Sequence, residues 1–226
     1  SMQAVPDVVR KHWPEYLMEA AGLGLFMISA AVVTTLLEYP HSPLHGLFAD
    51  QATRRLMIGL AMGATAIGLI YSPWGKRSGA HLNPAVTLTF YRLGKIGGID
   101  ACSYVMAQFF GGALGLWLVS RAIGKAVEHP AVNYVVTTPG PAGSGTAFVA
   151  EALISFGLML VVLMVSNTTS LNAWTGCVAG ALVATYIAIE APLSGMSMNP
   201  ARSFASALPA HLWTAFWIYL TAPLIG

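Results

Sequence analysis

One short segment occurs twice in this chain, and the duplication restricts the possible folds more than any other feature. Residues 78–90 read SGAHLNPAVTLTF and residues 194–206 read SGMSMNPARSFAS, each with Asn-Pro-Ala at its centre. Asn is a preferred helix N-cap and Pro is favoured at the first helical position, so each copy predicts a helix that begins directly after Asn83 or Asn199. The chain is therefore interpreted as two copies of one unit.

Composition places both copies in a lipid bilayer. The chain is 56% hydrophobic and 9% charged, whereas an ordinary soluble domain is about 25% charged. A helix needs about 17 to 25 apolar residues to cross the hydrocarbon, and five runs have that length: about 16–37, 56–73, 99–121, 147–166 and 173–191. A sixth run starts at Leu212 and reaches Gly226 too soon for a full crossing, so we interpret it as truncated.

Each repeat holds three spans, with the Asn-Pro-Ala segment between the second and the third. Repeat one covers about 16–121 and repeat two about 147–226, and each begins with a span that carries a glutamate, Glu19 or Glu151. Because three is odd, the second repeat enters the membrane from the opposite side. The sequence predicts an all-α membrane protein of six transmembrane helices plus two re-entrant half-helices, arranged as an inverted repeat in a single channel domain, 1–226.

The re-entrant half-helices predict a pore with a positive lining. Irregular backbone at this depth is tolerated only where it is buried in protein or lines a cavity. Each half-helix N-terminus carries about half a positive charge, and the asparagine amides add N–H donors. Arg202 would cost about 2.5–3.5 kcal/mol or more against lipid, so we expect it to face the watery cavity. This lining favours neutral solutes with lone pairs and repels cations and protons.

Other function classes are disfavoured by what the sequence contains. The formal net charge is +2 and the basic residues are scattered, which argues against a nucleic-acid partner. Catalytic and metal-binding patterns such as HExxH and GxSxG are missing, so we expect neither an enzyme nor a metal or other cofactor. An ion-coupled secondary transporter remains a remote alternative, because its spans would need carboxylates at mid-membrane and only Glu19, Glu151 and Glu190 are available. A junction or adhesion role without conduction also stays open.

Charges in the connections predict the orientation. The side that holds the N-terminus carries Arg10, Lys11, Lys76, Arg77, Arg92 and Lys95, and the other side carries Arg54, Arg55, Arg121 and Lys125. We expect an integral protein of the cell membrane, plasma or inner, and the positive-inside rule predicts that its N-terminus is cytoplasmic.

Three glycine pairs predict close helix packing. Each pair has the small-xxx-small spacing that lets helices approach in lipid: Gly59 with Gly63, Gly111 with Gly115, and Gly176 with Gly180. These faces are expected to pack within the bundle or between subunits.

Taken together, the paired SGAHLNPAVT and MNPARSF, the repeated glutamates, and AQFFGGALG at 107–115 resemble the major intrinsic protein family, the aquaporins and aquaglyceroporins. The resemblance covers essentially the whole chain. It implies a homotetramer in the lipid bilayer, with one pore per subunit that conducts water and small neutral solutes passively. It also implies that Glu19 and Glu151 hydrogen-bond the re-entrant loops, and that His81 makes a structural hydrogen bond near one mouth of the pore.

The resemblance also implies where the selectivity filter lies. The Asn-Pro-Ala motifs are Asn83, Pro84, Ala85 and Asn199, Pro200, Ala201. Counting from the family pattern places three filter residues at Arg202, Met196 and Ile187. On the second span the count reaches Gly63, but the connection SPWGKRSGAH is one residue longer than usual, which favours Met62.

This filter matches neither of the family's usual patterns. Water-selective members carry an aromatic residue and a histidine there, and glycerol facilitators often carry Asp after the arginine, where this chain has Ser203. A wall of Met62, Ile187, Met196 and Arg202 is mostly apolar and pliable. We therefore expect a water channel, with a facilitator of glycerol, urea, ammonia or hydrogen peroxide as the alternative.

Overall fold

The computed structural model describes residues 5–226, and all regular structure in that part of the chain is helical. In chain order the α-helices are α1 (Val5–Glu38), α2 (Pro43–Leu47), α3 (Gln51–Tyr71), α4 (Pro73–Ser78), α5 (Pro84–Arg92), α6 (Gly98–Ile123), α7 (Lys125–Glu128), α8 (Ser144–Ser166), α9 (Thr175–Ile189), α10 (Ala191–Ser194), α11 (Pro200–Ala210) and α12 (Phe216–Ile225). Short 3-10 turns occupy Asn133–Val135 and Asn172–Trp174.

Five helical segments are long and apolar enough to cross a membrane, and they correspond to the five predicted spans. They are α1, α3, α6, α8 and the segment 172–189 that contains α9. The sixth predicted span is the ten-residue helix α12. Helix α1 begins at Val5 although its apolar run begins near position 16, because the polar residues before the run continue the same helix beyond the apolar stretch. The predicted fold class is confirmed.

The two repeats make equivalent contacts. Helix α1 packs against α6, and α8 packs against α12, so the first and third spans pair within each repeat. The second spans, α3 and α9, pack against each other. The half-helix α11 of repeat two lies on α6 of repeat one, and α5 of repeat one contacts α12 of repeat two. This exchange brings the N-termini of α5 and α11 into one shared interior.

Glycines permit the closest helix contacts, all of them within the chain. A Cβ atom on Gly111 would lie 2.0 Å from the carbonyl oxygen of Ala20, and one on Gly115 would lie 2.4 Å from that of Gly24. The backbones of α1 and α6 therefore touch where a larger residue could not fit. Of the two packing modes expected for the glycine faces, the structure shows packing inside the bundle.

The capping residue of α3 lies outside the spans. The Asp50 carboxylate accepts hydrogen bonds from the Thr53 hydroxyl at 2.8 Å and the Thr53 backbone N–H at 2.7 Å. These donors favour the charged form and lower the pKa of Asp50. Asp50 thus satisfies one free N–H group at the start of α3, the helix that lines the cavity described below.

Candidate functional site

Both half-helices begin at the predicted asparagines. The Asn83 side-chain oxygen accepts from the Ala85 backbone N–H at 2.9 Å. The Asn199 oxygen accepts from the N–H groups of Ala201 at 3.0 Å and Arg202 at 3.1 Å. Pro84 and Pro200 take the first helical position of α5 and α11. Each asparagine is thus an N-cap, as its sequence context predicts.

The two caps also bind each other's loops. The Asn83 amide nitrogen donates to the carbonyl oxygen of Met198, and the Asn199 amide nitrogen donates to that of Leu82, both at 2.7 Å. An amide has two N–H groups, so each asparagine retains a second donor. Two helix N-termini and two amide donors are therefore held together at one point inside the protein.

The segment before each asparagine has a left-handed backbone at matching positions. Ala80 and Leu82 have φ values of 47° and 52°, and Met196 and Met198 have φ values of 55° and 57°. Such conformations cost on the order of 1–3 kcal/mol each for residues other than glycine. They persist only where the surrounding structure holds them, and here a buried glutamate does so in each repeat.

Glu19 holds the first segment. Its carboxylate is fully buried and accepts four hydrogen bonds. The donors are the Ser78 hydroxyl at 2.8 Å, the N–H groups of His81 at 3.0 Å and Leu82 at 2.6 Å, and the Gln108 amide at 2.9 Å. Four donors on two oxygens match the needs of an ionised carboxylate. This geometry agrees with the role that the sequence resemblance implies for Glu19.

Glu151 holds the second segment in the same way. It accepts from the N–H groups of Ser197 and Met198, both at 2.7 Å, and it contacts the Ser194 hydroxyl at 2.6 Å. The serines that contact the two glutamates also have equivalent tyrosine partners. The Tyr104 hydroxyl donates to the backbone carbonyl of Ser78, and the Tyr219 hydroxyl donates to that of Ser194.

A cavity of about 620 Å³ passes the two asparagines. Glu38 and Arg55 line it where α1 ends and α3 begins, and Phe90 and Ser166 line it where α5 and α8 end. The cavity therefore runs between the two ends of the bundle. The four filter positions inferred from the sequence all line it: Met62, Ile187, Met196 and Arg202.

The structure distinguishes Met62 from Gly63. Met62 lines the cavity on the same face of α3 as Ile58 and Ala66, one turn to either side. Gly63 instead faces α9, where a Cβ atom would lie 2.5 Å from the carbonyl oxygen of Gly180. Of this pair, Met62 is therefore the residue that lines the cavity.

Arg202 belongs to the cavity wall, as the sequence predicts. Its guanidinium Nη1 donates to the Ser206 hydroxyl at 2.9 Å, one turn further along α11. Five N–H donors are available on a guanidinium, so one intrahelical bond leaves others for solutes in the cavity. The side chain is partly exposed, in contrast to the fully buried Ser206.

His81 also lines the cavity. Its Nδ1 forms a hydrogen bond with the Thr87 hydroxyl at 3.0 Å, and its ring stacks on Phe90 with a centroid distance of 4.9 Å. The Thr87 hydroxyl also accepts from the Gln108 amide at 3.1 Å. These contacts fix the histidine ring and agree with the structural role that the resemblance implies.

Sequence reasoning missed several members of this site. Ser78 and Ser194 head the two quoted segments at the same spacing as the asparagines, and that shared spacing was a usable signal. Tyr104 and Tyr219 gave no such signal, because their role depends on how the third spans pack. Glu190 is also buried beside Ser194, with 6% of its surface exposed. Among residues 5–226, no group of three or more metal-ligating side chains comes together.

Comparisons with known proteins show what this chain is similar to in sequence and in fold. The family model described as "Major intrinsic protein" matches residues 8–226. The chain is 36% identical over 176 residues to the probable aquaporin AqpM of Archaeoglobus fulgidus, an alignment that covers 75% of this chain and 71% of that protein. It is 33% identical over 208 residues to aquaporin NIP2-2 of Zea mays, covering 90% of this chain and 68% of that protein.

Other relatives are longer than this chain, and a solved structure shares the fold. Aquaporin NIP6-1 of Arabidopsis thaliana is 37% identical over 172 residues, and this alignment covers 75% of the chain but only 54% of the relative. The X-ray structure of the aquaglyceroporin from Plasmodium falciparum superposes with a TM-score of 0.78 at 21% identity, covering 95% of this chain and 92% of that one.

Proposed function

This chain belongs to the major intrinsic protein family, and from that premise we propose that it is a passive membrane channel that conducts water and small neutral solutes down their gradients. The observation that carries the proposal is the reciprocal hydrogen bonding of Asn83 to Met198 and of Asn199 to Leu82. It fixes two positive helix N-termini at one point of a cavity that runs between the ends of the bundle. A neutral solute with lone pairs is stabilised there, and a cation is repelled.

The proposed selectivity filter consists of Met62, Ile187, Met196 and Arg202. Three of these side chains are apolar, so Arg202 and backbone carbonyls supply most of the polar contacts. Thioether side chains are flexible, which makes this wall adaptable in width. We propose water as the main solute, since Ser203 follows Arg202 at the position where glycerol facilitators often carry Asp.

The outer surface of the bundle is apolar, which suits contact with lipid or with other subunits. Large apolar side chains cover the outer faces of the spans, for example Met106 at 72% exposure, Phe110 at 67% and Leu153 at 63%. Such faces are stable against acyl chains or against other subunits. We therefore propose a homotetramer in the cell membrane with a cytoplasmic N-terminus, the latter on the charge distribution of the connections.

Stopped-flow light scattering on purified protein in liposomes tests the proposal. Vesicles are shocked with sucrose to follow water efflux, and separately with glycerol to follow solute entry. We expect shrinkage under sucrose much faster than in protein-free vesicles, with an uncoupler leaving the rate unchanged because no ion gradient drives it. Accelerated re-swelling in glycerol would assign the chain to small-solute facilitation. Shrinkage no faster than in protein-free vesicles would contradict a channel.

A further inference from the structure

The hydroxyl of Ser194 contacts three groups but has one hydrogen to donate. The Met196 backbone N–H donates to it at 3.1 Å, and one carboxyl oxygen each of Glu151 and Glu190 lies within hydrogen-bond distance. A hydroxyl is one donor and two acceptor lone pairs. The Met196 N–H donates to one lone pair of the hydroxyl oxygen, and the serine hydrogen is donated to one of the two carboxyl groups. The other carboxyl group must therefore donate a proton of its own to the remaining lone pair.

Glu190 is the group that carries this proton. Glu151 already accepts two backbone N–H groups, from Ser197 and Met198, as an ionised carboxylate does. Glu190 is 94% buried, accepts no N–H group among the described residues, and has its second oxygen, Oε2, buried without a hydrogen-bond partner. A buried carboxylate in such surroundings is costly, whereas a neutral carboxylic acid is tolerated.

Comparison of the two repeats shows that Glu190 has no acidic counterpart in repeat one. In repeat one, Ser78 donates to Glu19 at 2.8 Å and accepts from the Ala80 N–H at 3.0 Å, which satisfies the same loop without a third partner. The residue four positions before Ser78 is Trp74, which is 55% exposed, and the residue four positions before Ser194 is Glu190. Holding the re-entrant segment therefore does not itself require a second acid.

No cation in the described part of the chain forms an ion pair with Glu190. Glu190 directly follows α9, and its backbone N–H donates to the Tyr186 carbonyl of that helix. Its side chain faces Glu151 of α8 and Tyr219 of α12. The positive charge of Arg202 on α11 attracts the carboxylate of Glu151. An ionised Glu190 would therefore oppose the charge of Glu151 across a single hydroxyl group.

We propose that Glu190 is a positioning residue of the pore, a neutral carboxylic acid whose proton holds Ser194 and thereby the cavity-lining Met196. The inference rests on the proposed channel function. When the proton is lost, two carboxylates face one hydroxyl hydrogen, and their repulsion displaces the Ser194 hydroxyl that accepts from the backbone N–H of Met196, whose φ is left-handed at 55°. The protonated arrangement is present at low and neutral pH and is lost as pH rises. Water permeability falls accordingly at alkaline pH.

Infrared spectroscopy tests the proton independently of conduction. The wild-type protein should show the C=O stretch of a protonated carboxylic acid at neutral pH. The band should disappear in Glu190→Gln and remain in the control Glu128→Gln, which removes an exposed acid of α7. A wild-type spectrum without this band, or an unchanged band in Glu190→Gln, would overturn the proposal. Absence of the band from the wild-type spectrum refutes the proposal even where the variant does not fold.

Stopped-flow permeability tests the consequence for the pore. The pH on both sides of the vesicle is raised from about 6 to about 9, and both values lie above the ordinary pKa of glutamate. Over this range, wild-type water permeability should fall toward the value of protein-free vesicles. Glu190→Gln, whose amide N–H can replace the acid proton, should stay permeable throughout, and Glu128→Gln should behave like the wild type. Equal pH profiles for wild type and Glu190→Gln would refute the positioning role. Wild-type permeability at the protein-free level at every pH would contradict the proposed channel function. The infrared comparison would then still show whether Glu190 is protonated.

Discussion

Gly63 of α3 and Gly180 of α9 lie in backbone contact where these two helices pack against each other. A Cβ atom on Gly63 would be 2.5 Å from the carbonyl oxygen of Gly180. That oxygen belongs to a helix backbone and cannot turn away as a side chain would. The contact therefore joins the second spans of both repeats directly beside Met62, which lines the cavity.

The substitution Gly63→Ala should destabilise the protein. Because the new methyl group would force α3 and α9 apart, we expect a loss of about 1–3 kcal/mol, seen as a lower midpoint of thermal unfolding in detergent. The matched control is Gly68→Ala in the same helix, where nothing lies within 4 Å of the added atom. Equal midpoints for both variants would contradict the close contact.

Replacement of Glu19 by glutamine should weaken the first re-entrant loop. An amide offers one acceptor oxygen and one donor nitrogen where four donors now converge, so at least one buried N–H or O–H group loses its partner. Each such loss costs about 1–3 kcal/mol. We expect reduced thermal stability together with reduced water permeability. The control Glu15→Gln removes an acid from the same helix that pairs with the half-exposed Arg77, and it should change both readouts little.

Shortening either methionine of the proposed filter should widen the pore. In Met62→Ala or Met196→Ala, glycerol permeability should rise relative to water permeability by about tenfold, the scale on which small changes of apolar wall volume discriminate solutes. Met106→Ala removes a methionine from the outer surface, 72% exposed, and should leave the ratio unchanged. A similar rise in all three variants would indicate general loosening and not a filter.

Removal of the cavity arginine should weaken the barrier to cations. In Arg202→Leu the positive guanidinium disappears while both half-helix N-termini remain, so we expect a several-fold increase in proton leak rather than free conduction. A pH-sensitive dye inside the vesicles measures the leak. The control Arg121→Leu removes an exposed arginine at the end of α6. A leak equal to that of the wild type would mean that the helix N-termini alone exclude cations.

The proposed filter residues illustrate what the sequence could not decide by itself. Successive helical residues point about 100° apart, so the one-residue difference in the connection after α3 decides whether position 62 or position 63 faces the pore. Sequence spacing favours Met62, and the packing of Gly63 on α9 provides the physical reason. Arg202 was easier to place, because a charge in a short half-helix has few stable surroundings within a membrane.

The sequence by itself determined the features that depend on local chemistry. Apolar run length predicts the spans, and Asn-Pro predicts the starts of α5 and α11, because N-cap bonding involves only neighbouring residues. Only the tertiary structure decided which groups meet across the chain. The bond from Asn83 to Met198 joins positions 115 residues apart, and Glu190 shares Ser194 with a glutamate on another helix. Such contacts depend on how whole helices pack, and spacing along the chain does not record that.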